Sequence, residues 1–255
     1  MYIDLNCDMG ESFGAYRIGH DAEVMPFITS ANVACGFHAG DPGVMRRTVR
    51  LAREHGVAVG AHPGLPDLVG FGRREMKIAP GDLEDAVVYQ VGALAAVAAS
   101  EGVRLQHVKA HGALYNMAVK DDALADAIAK AVAAVDAGLI LLGLPGSALL
   151  GAGERHGLQV AAEAFADRAY EPDGTLVSRL KAGAVIHDAP AVVARVVRMV
   201  KEGVVRAIDG SDVRLGATTV CTHGDTPGAH ELVRLIREGL EREGVEVCPL
   251  GGSRR

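Results

Sequence analysis

The sequence predicts an α/β fold: an irregular (β/α) barrel of about seven parallel strands ringed by helices. Three observations predict it. Short, nearly continuous apolar runs alternate with amphipathic helical stretches, the pattern of strands buried on both faces and joined by helical crossovers. Six polar clusters rich in His, Asp and Gly interrupt the chain where such runs stop. The length, 255 residues, also matches one (β/α) barrel, typically about 250 residues.

Taken in order, Tyr2–Asn6 is the first strand-like run and leads into Cys7-Asp8-Met9-Gly10-Glu11. Ser30–Cys35 follows and stops on Gly36-Phe37-His38-Ala39-Gly40. Asp41-Pro42 then opens a helix with a cap residue and a proline at the first helical position. Val57–Ala61 stops on His62-Pro63-Gly64. A helix after Asp82 carries Val87, Val91, Leu94 and Ala98 on one face. His107–Ala110 stops on His111-Gly112, and Leu139–Leu142 and Gln159–Glu163 are two further runs. Asp167–Leu180 has no strand signal and reads as a long functional loop. A helix after Asp188 shows Val193, Val196, Val197 and Val200. Val205–Ile208 and Val213–Leu215 flank Asp209-Gly210 as a small hairpin. Thr218–Cys221 is the last strand-like run, and Thr226-Pro227 opens a helix faced by Leu232, Ile236 and Leu240. An open doubly wound sheet is the competing architecture, although no GxGxxG follows the first strand. Residues 1–250 form one domain in this reading, with 251–255 a frayed, basic tail.

Composition narrows the function. A hydrophobic content of 49% supplies a sizeable core and argues against disorder. A net charge of −6 argues against nucleic acid or an anionic membrane surface as partner. The four cysteines form no CxxC pair, which weakens zinc-ribbon and disulfide-framework readings. Met1-Tyr2-Ile3-Asp4 has no basic n-region or apolar signal core, and the apolar stretches break before the roughly 20 residues of a membrane span. The expectation is a soluble, cytoplasmic protein.

A parallel barrel gathers its chemistry at the carboxyl ends of its strands. Asp8 stands there as a general base or metal ligand, with Asn6 two residues before it. Glu11 reads better as turn or capping chemistry, and Asp41 as a helix cap. His38, His62, His111 and His223 each follow a strand. One such histidine is commonly only packed; four in equivalent places suit proton transfer or metal ligation. Lys109 shares a strand face with His111 and could fix an anionic oxygen. Gly70-Phe71-Gly72-Arg73-Arg74 could cradle an anion, though exposed loops often look like this. Glu163 is a candidate acid, base or ligand, and Tyr115 and Asp225 are candidate substrate contacts. Asp167-Arg168 reads equally as a structural ion pair. No GxxxxGK[ST] supports P-loop nucleotide binding, and no GxSxG supports a serine hydrolase. Buried, packed thiols are the simpler reading of Cys7, Cys35 and Cys221.

The six motifs together carry a resemblance. They are Asp4-Leu5-Asn6-Cys7-Asp8-Met9-Gly10-Glu11-Ser12-Phe13-Gly14, Asn32-Val33-Ala34-Cys35-Gly36-Phe37-His38-Ala39-Gly40-Asp41 and Gly60-Ala61-His62-Pro63-Gly64 with Gly70-Phe71-Gly72-Arg73. Lys109-Ala110-His111-Gly112-Ala113-Leu114-Tyr115-Asn116, Phe165-Ala166-Asp167-Arg168 and Cys221-Thr222-His223-Gly224-Asp225 complete the set. In this order they resemble the LamB/YcsF family, from Tyr2 to about Ala229. The resemblance implies a barrel akin to glycoside hydrolases and polysaccharide deacetylases. It implies a share in an ATP-dependent 5-oxoprolinase, which converts 5-oxo-L-proline, ATP and water to L-glutamate, ADP and phosphate together with two further subunits, B and C. On that footing Asp8 and a histidine activate water, Lys109 and Arg73 hold anionic groups, and Glu163 or His223 protonates the leaving nitrogen. With no P-loop, ATP would be bound mainly by the partner subunits. Two rival readings stand beside this one. In the first, a deacetylase-like carbon–nitrogen hydrolase uses a divalent metal on Asp8 and two of His38, His62, His111 and His223, with His38 and His62 the first choice. In the second, the chain only binds substrate and catalyses nothing alone.

Overall fold

The computed structural model describes residues 1–223 and 228–252, with His223 described by its backbone only. The chain alternates strands and helices: β1 (Tyr2–Met9), α1 (Asp21–Val24), a 3-10 turn (Met25–Phe27), β2 (Ser30–Ala34), α2 (Pro42–His55), β3 (Ala58–His62), α3 (Pro80–Ser100) and β4 (Leu105–Lys109). It continues with α4 (Gly112–Met117), α5 (Asp122–Val135), β5 (Ile140–Gly143), α6 (Ala148–Arg155), β6 (Gln159–Phe165) and α7 (Ala189–Glu202). The hairpin β7 (Val204–Arg206) and β8 (Asp212–Arg214), then β9 (Thr219–His223), α8 (Ala229–Arg242) and β10 (Glu246–Val247), complete it.

All seven strand-like runs are strands, and every pairing among them is parallel. They stand in the order β1-β2-β3-β4-β5-β6-β9, and β9 pairs back onto β1, so the ring is closed. The competing open sheet is thereby excluded. The short β10 adds beside β1 at Tyr2 and Ile3, outside the ring. It escapes sequence reading because two residues carry no periodicity.

The barrel divides the side chains by strand alternation. Leu5, Cys7 and Met9 of β1 join Ala31, Val33, Val59, Ala61, Val108, Leu141, Ala164 and Val220 in the main apolar core, with the helices. The alternate residues Asp4, Asn6 and Asp8 are also buried, and bond across the interior to Thr29, Ser30, Asn32 and Thr219. The hydrophobic core is therefore an outer shell, and much of the barrel interior is polar. Ile140, Leu142 and Ala161 form a separate apolar cluster with Leu250 against it. Gln106 donates to the Leu250 carbonyl at 2.7 Å, tying the C-terminal segment to β4.

Helix starts follow local chemistry. Asp41 caps α2, accepting from Gly43 and Val44 N–H at 2.8 and 3.0 Å. Asp188 caps α7 through Ala191. α3 begins at Pro80, ahead of Asp82, without a side-chain cap. At 21 residues α3 is long and apolar enough to cross a membrane by length and composition, contrary to the sequence expectation. It is instead a barrel helix: Leu83, Val87, Val91, Leu94 and Ala98 are buried, and Gln90 grips Gly64 N–H and C=O at 2.8 and 3.0 Å. The Thr226-Pro227 helix start, Asp225 and residues 253–255 of the expected tail lie outside the described residues.

The segment after β6 folds back on itself by isolated bridges, Arg168 with Val185 and Tyr170 with Leu176. The buried Arg168 guanidinium donates to the Val177 and Ala184 carbonyls at 2.6 and 3.3 Å. Burial, and then neighbouring Arg179, bring its pKa down to about 10. This loop forms part of the wall over the strand ends.

Candidate active site

Strand ends and loops meet at a cavity of about 830 Å³ lined by Asp8, His62, Lys109, His111, Arg73 and Tyr115, among others. Residues 176–180 of the loop close one side of it. β1 runs on to Met9 and β6 to Phe165, so Asp8 and Glu163 are strand residues that face inward.

Asp8 is the junction of the site. Its Oδ1 accepts from Lys109 Nζ and from Asn32 Nδ2, both at 2.8 Å. Its Oδ2 stands 3.3 Å from His62 Nε2. Asn32 also donates to Asn6 Oδ1 at 2.7 Å. Its two amide hydrogens are thus used, so Asn32 Oδ1 must accept, and His107 Nε2, 2.7 Å away, is the donor. Burial, reinforced by Lys109, pushes the His107 pKa down to about 3 and keeps the ring neutral. The ring fits because residue 60 is glycine: a Cβ there would collide with His107 Nε2.

Lys109 is buried against two carboxylates, with Nζ 2.8 Å from Asp8 Oδ1 and 3.0 Å from Glu163 Oε1. Its Nζ is also 2.9 Å from Cys221 Sγ. Burial works against the ammonium, but the charges around it prevail, and the Lys109 pKa stands well above its ordinary value. Burial holds the Cys221 thiol well above the usual range, which keeps it protonated. Glu163 is fully buried; its Oε1 also takes the Asn6 amide at 3.1 Å. The Tyr115 hydroxyl is buried beside Glu163. Burial, then the charge of Glu163, drives the phenol pKa well up.

On the other side of Asp8 lie His38, His62 and His111. His62 Nδ1 meets the Lys109 carbonyl at 2.8 Å, and its Nε2 is 2.9 Å from His111 Nδ1. His111 Nε2 meets the Phe71 carbonyl at 2.8 Å. His38 stacks flat on His111, centroids 3.7 Å apart, and among the described residues neither of its nitrogens has a hydrogen-bond partner. Burial first, and neighbouring histidines next, hold the pKa values of His38 and His111 well below normal. Glu11 is buried beside them, its Oε1 3.8 Å from His38 Nε2 and 3.7 Å from His111 Nδ1. Phe71 has φ of 56°, the only positive value among the described non-glycine residues, a strained conformation of the kind found at functional sites.

Of the residues singled out in the sequence, Asp8, Asn6, Lys109, Glu163, His38, His62, His111 and Tyr115 come together here. Arg73 lines the cavity, its guanidinium 4.9 Å over the Phe71 ring. Arg74 instead pairs with Asp67. The β9 backbone carries His223 to the same strand end; its side chain, like Asp225, lies outside the description. Sequence reasoning set Glu11 aside and did not single out Asn32 or His107 as site residues. Inward alternation along β2 and β4, in step with Ser30 and Lys109, was the available signal for the latter two.

This is the layout of a (β/α)-barrel enzyme, with charged and titratable side chains assembled at the carboxyl ends of the strands. The chain belongs to the LamB/YcsF family, whose model matches residues 3–255. It is 59% identical over 254 residues to the 5-oxoprolinase A-subunit of Bacillus subtilis (strain 168), covering 99% of this chain and 98% of that protein. The crystal structure of a lactam utilization protein from Thermus thermophilus superposes with a TM-score of 0.93 at 51% identity, over 98% of this chain and 100% of that one. The catalytic domain of a peptidoglycan N-acetylglucosamine deacetylase from Eubacterium rectale shares the fold alone, with a TM-score of 0.55 at 11% identity, over 100% of this chain and 90% of that one.

Proposed function

We propose that this chain opens the lactam ring in an ATP-dependent 5-oxoprolinase, working with two partner subunits. The observation that carries the reading is the full-length likeness to relatives named as 5-oxoprolinase A-subunits, joined to a cavity lined by Asp8, Lys109 and His111. A lactam is an unreactive amide and its opening reverses readily. ATP supplies the driving force by phosphorylating the lactam oxygen. The sequence has no phosphate-binding P-loop, so phosphorylation falls to the partners. A cavity of about 830 Å³ leaves room for a ring that carries a phosphoryl group.

Asp8 acts as the base. Lys109 and Asn32 hold its Oδ1 and turn Oδ2 toward the cavity side, where it takes a proton from the attacking water. The water oxygen bonds to the activated ring carbon, the carbon–nitrogen bond breaks, and the nitrogen takes the proton that Asp8 received; the resulting γ-carboxyl phosphate is hydrolysed by a second water to glutamate and inorganic phosphate. Arg73 is the candidate for the substrate carboxylate, and the cavity-lining Tyr115 hydroxyl for a hydrogen bond to the ring. Glu163, beneath Lys109, holds that ammonium in place. The free thiols, of which Cys7, Cys35 and Cys221 are buried, suit the reducing cytoplasm. The test is 5-oxoproline-dependent ATP hydrolysis and glutamate release, with and without the partner subunits. Glutamate release that survives omission of this chain would refute the reading.

A further inference from the structure

The histidine cluster is more than the hydrolytic reading uses. Glu11, His38, His62 and His111 each offer one ligand atom, and these atoms all lie within 4.8 Å of one another. Four donors around one ion at 2.0–2.2 Å would stand about 3.4 Å apart, so small side-chain shifts close the set. Hydrogen bonding fixes where the lone pairs point. The Lys109 carbonyl requires a hydrogen on His62 Nδ1, and the Phe71 carbonyl requires one on His111 Nε2. The two remaining nitrogens, His62 Nε2 and His111 Nδ1, face each other at 2.9 Å. Two lone pairs at that distance repel unless a cation, a proton or a metal, lies between them. Metal-binding histidines commonly donate their other N–H to a carbonyl, as both rings do here.

His38 is the independent observation. Its ring is fully buried against His111, and among the described residues neither nitrogen has a hydrogen-bond partner, Glu11 Oε1 standing 3.8 Å from Nε2. A buried, unpaired imidazole costs stability unless something takes its lone pair. Glu11 lines both the large cavity and a smaller one of about 360 Å³, which His38, Phe13, Tyr16 and Phe71 also line.

We propose that Glu11, His38, His62 and His111 form a site for one divalent transition-metal ion, zinc by its donor set of three imidazoles and a carboxylate. Asp8 is then a neighbour rather than a ligand, with Oδ1 committed to Lys109 and Asn32. The proposal does not depend on the identity of the lactam.

The test is binding of Zn²⁺ and Co²⁺ to chelator-treated full-length protein, read by equilibrium dialysis with metal analysis and by the visible spectrum of Co²⁺. One ion per chain is expected, with a ligand-field spectrum. His38→Gln and Glu11→Gln, checked for folding by circular dichroism, should weaken binding more than about a hundredfold, beyond the roughly 10–100-fold typical of losing a supporting contact. No binding by folded wild-type protein, or unchanged binding in folded His38→Gln, overturns the site. Where the variants fail to fold, X-ray absorption of the Zn²⁺-loaded wild type decides: three imidazoles support it, and fewer overturn it. Metal bound without glutamate formation by the complex would sink the lactam reading and leave the metal site standing.

Discussion

Lys109→Met tests the electrostatic frame of the site most directly. The ammonium sits 2.8 Å from Asp8 Oδ1 and 3.0 Å from Glu163 Oε1, with all three groups buried. Methionine fills similar space and removes the charge, leaving two carboxylates facing each other in a low-dielectric interior. Breaking a buried ion pair from one side costs about 3–5 kcal/mol, chiefly because the partner's charge is left uncompensated. In a chain of this length about 1 kcal/mol corresponds to roughly 2–4 °C, so the melting temperature should fall by roughly 6–20 °C. The pH dependence carries the sign. In the wild type the raised Lys109 pKa means its contribution is complete below about 10.5, the ordinary lysine value, and is lost only as pH rises through the folded value. Lys109 therefore contributes equally at pH 5 and pH 8. In the variant the stranded carboxylates bind protons more tightly folded than unfolded, so stability is lost as pH rises above about 4. Urea unfolding followed by circular dichroism at pH 5 and pH 8 should show the larger deficit at pH 8. A deficit below about 1 kcal/mol at both values, or one that does not grow with pH, would refute the uncompensated-charge reasoning.

Asp8→Asn should lower glutamate formation by the reconstituted complex by about 10²–10⁴-fold, the usual contribution of a general base; normal turnover would remove Asp8 from that role. Gly60→Ala sets a Cβ against His107 Nε2 and must displace the ring that orients Asn32. An overpacking loss of about 1–3 kcal/mol should appear in the urea midpoint, together with slower turnover. Arg168→Ala strips the Val177 and Ala184 carbonyls of a charged donor, at about 1.5–3 kcal/mol for such bonds. Limited proteolysis should then cut near residues 176–180 faster than in the wild type, and an unchanged digestion pattern would count against the clamp.

Much of the fold is legible because short apolar runs, helix caps and polar stops all report backbone periodicity, which is local. Asp41 could be assigned as a cap from its neighbour Pro42, and in the structure it accepts from the Gly43 and Val44 N–H groups of the first turn. The site was legible only where position along a strand implied direction. Lys109 and Asp8 follow from the barrel rule. Glu11 does not: it lies beyond the end of β1, and only the packing of the loops behind β2, β3 and β4 brings His38, His62 and His111 to it. His107 and Asn32 were hidden differently. Each sits in the middle of a strand that reads as buried, where a polar side chain looks like an exception until the barrel interior itself is seen to be polar.

That polar interior explains why Asp8 serves both halves of the site. A barrel filled with aliphatic side chains would offer Asp8 no donor, and burial would protonate it. Here hydroxyl and amide side chains carry hydrogen bonds inward in steps: Asp4 takes Ser30 and Thr29, Asn6 takes Asn32 and gives to Thr219 and Glu163, and Asp8 takes Asn32 and Lys109. Each step leaves fewer unsatisfied groups than burial of the same residues alone would. Asp8 Oδ1 takes two donors from this column, while Oδ2 faces the histidines. The two oxygens of one carboxylate are thus divided between orientation and chemistry. Mutations deep in the column, at Asn32 or His107, act on the second through the first.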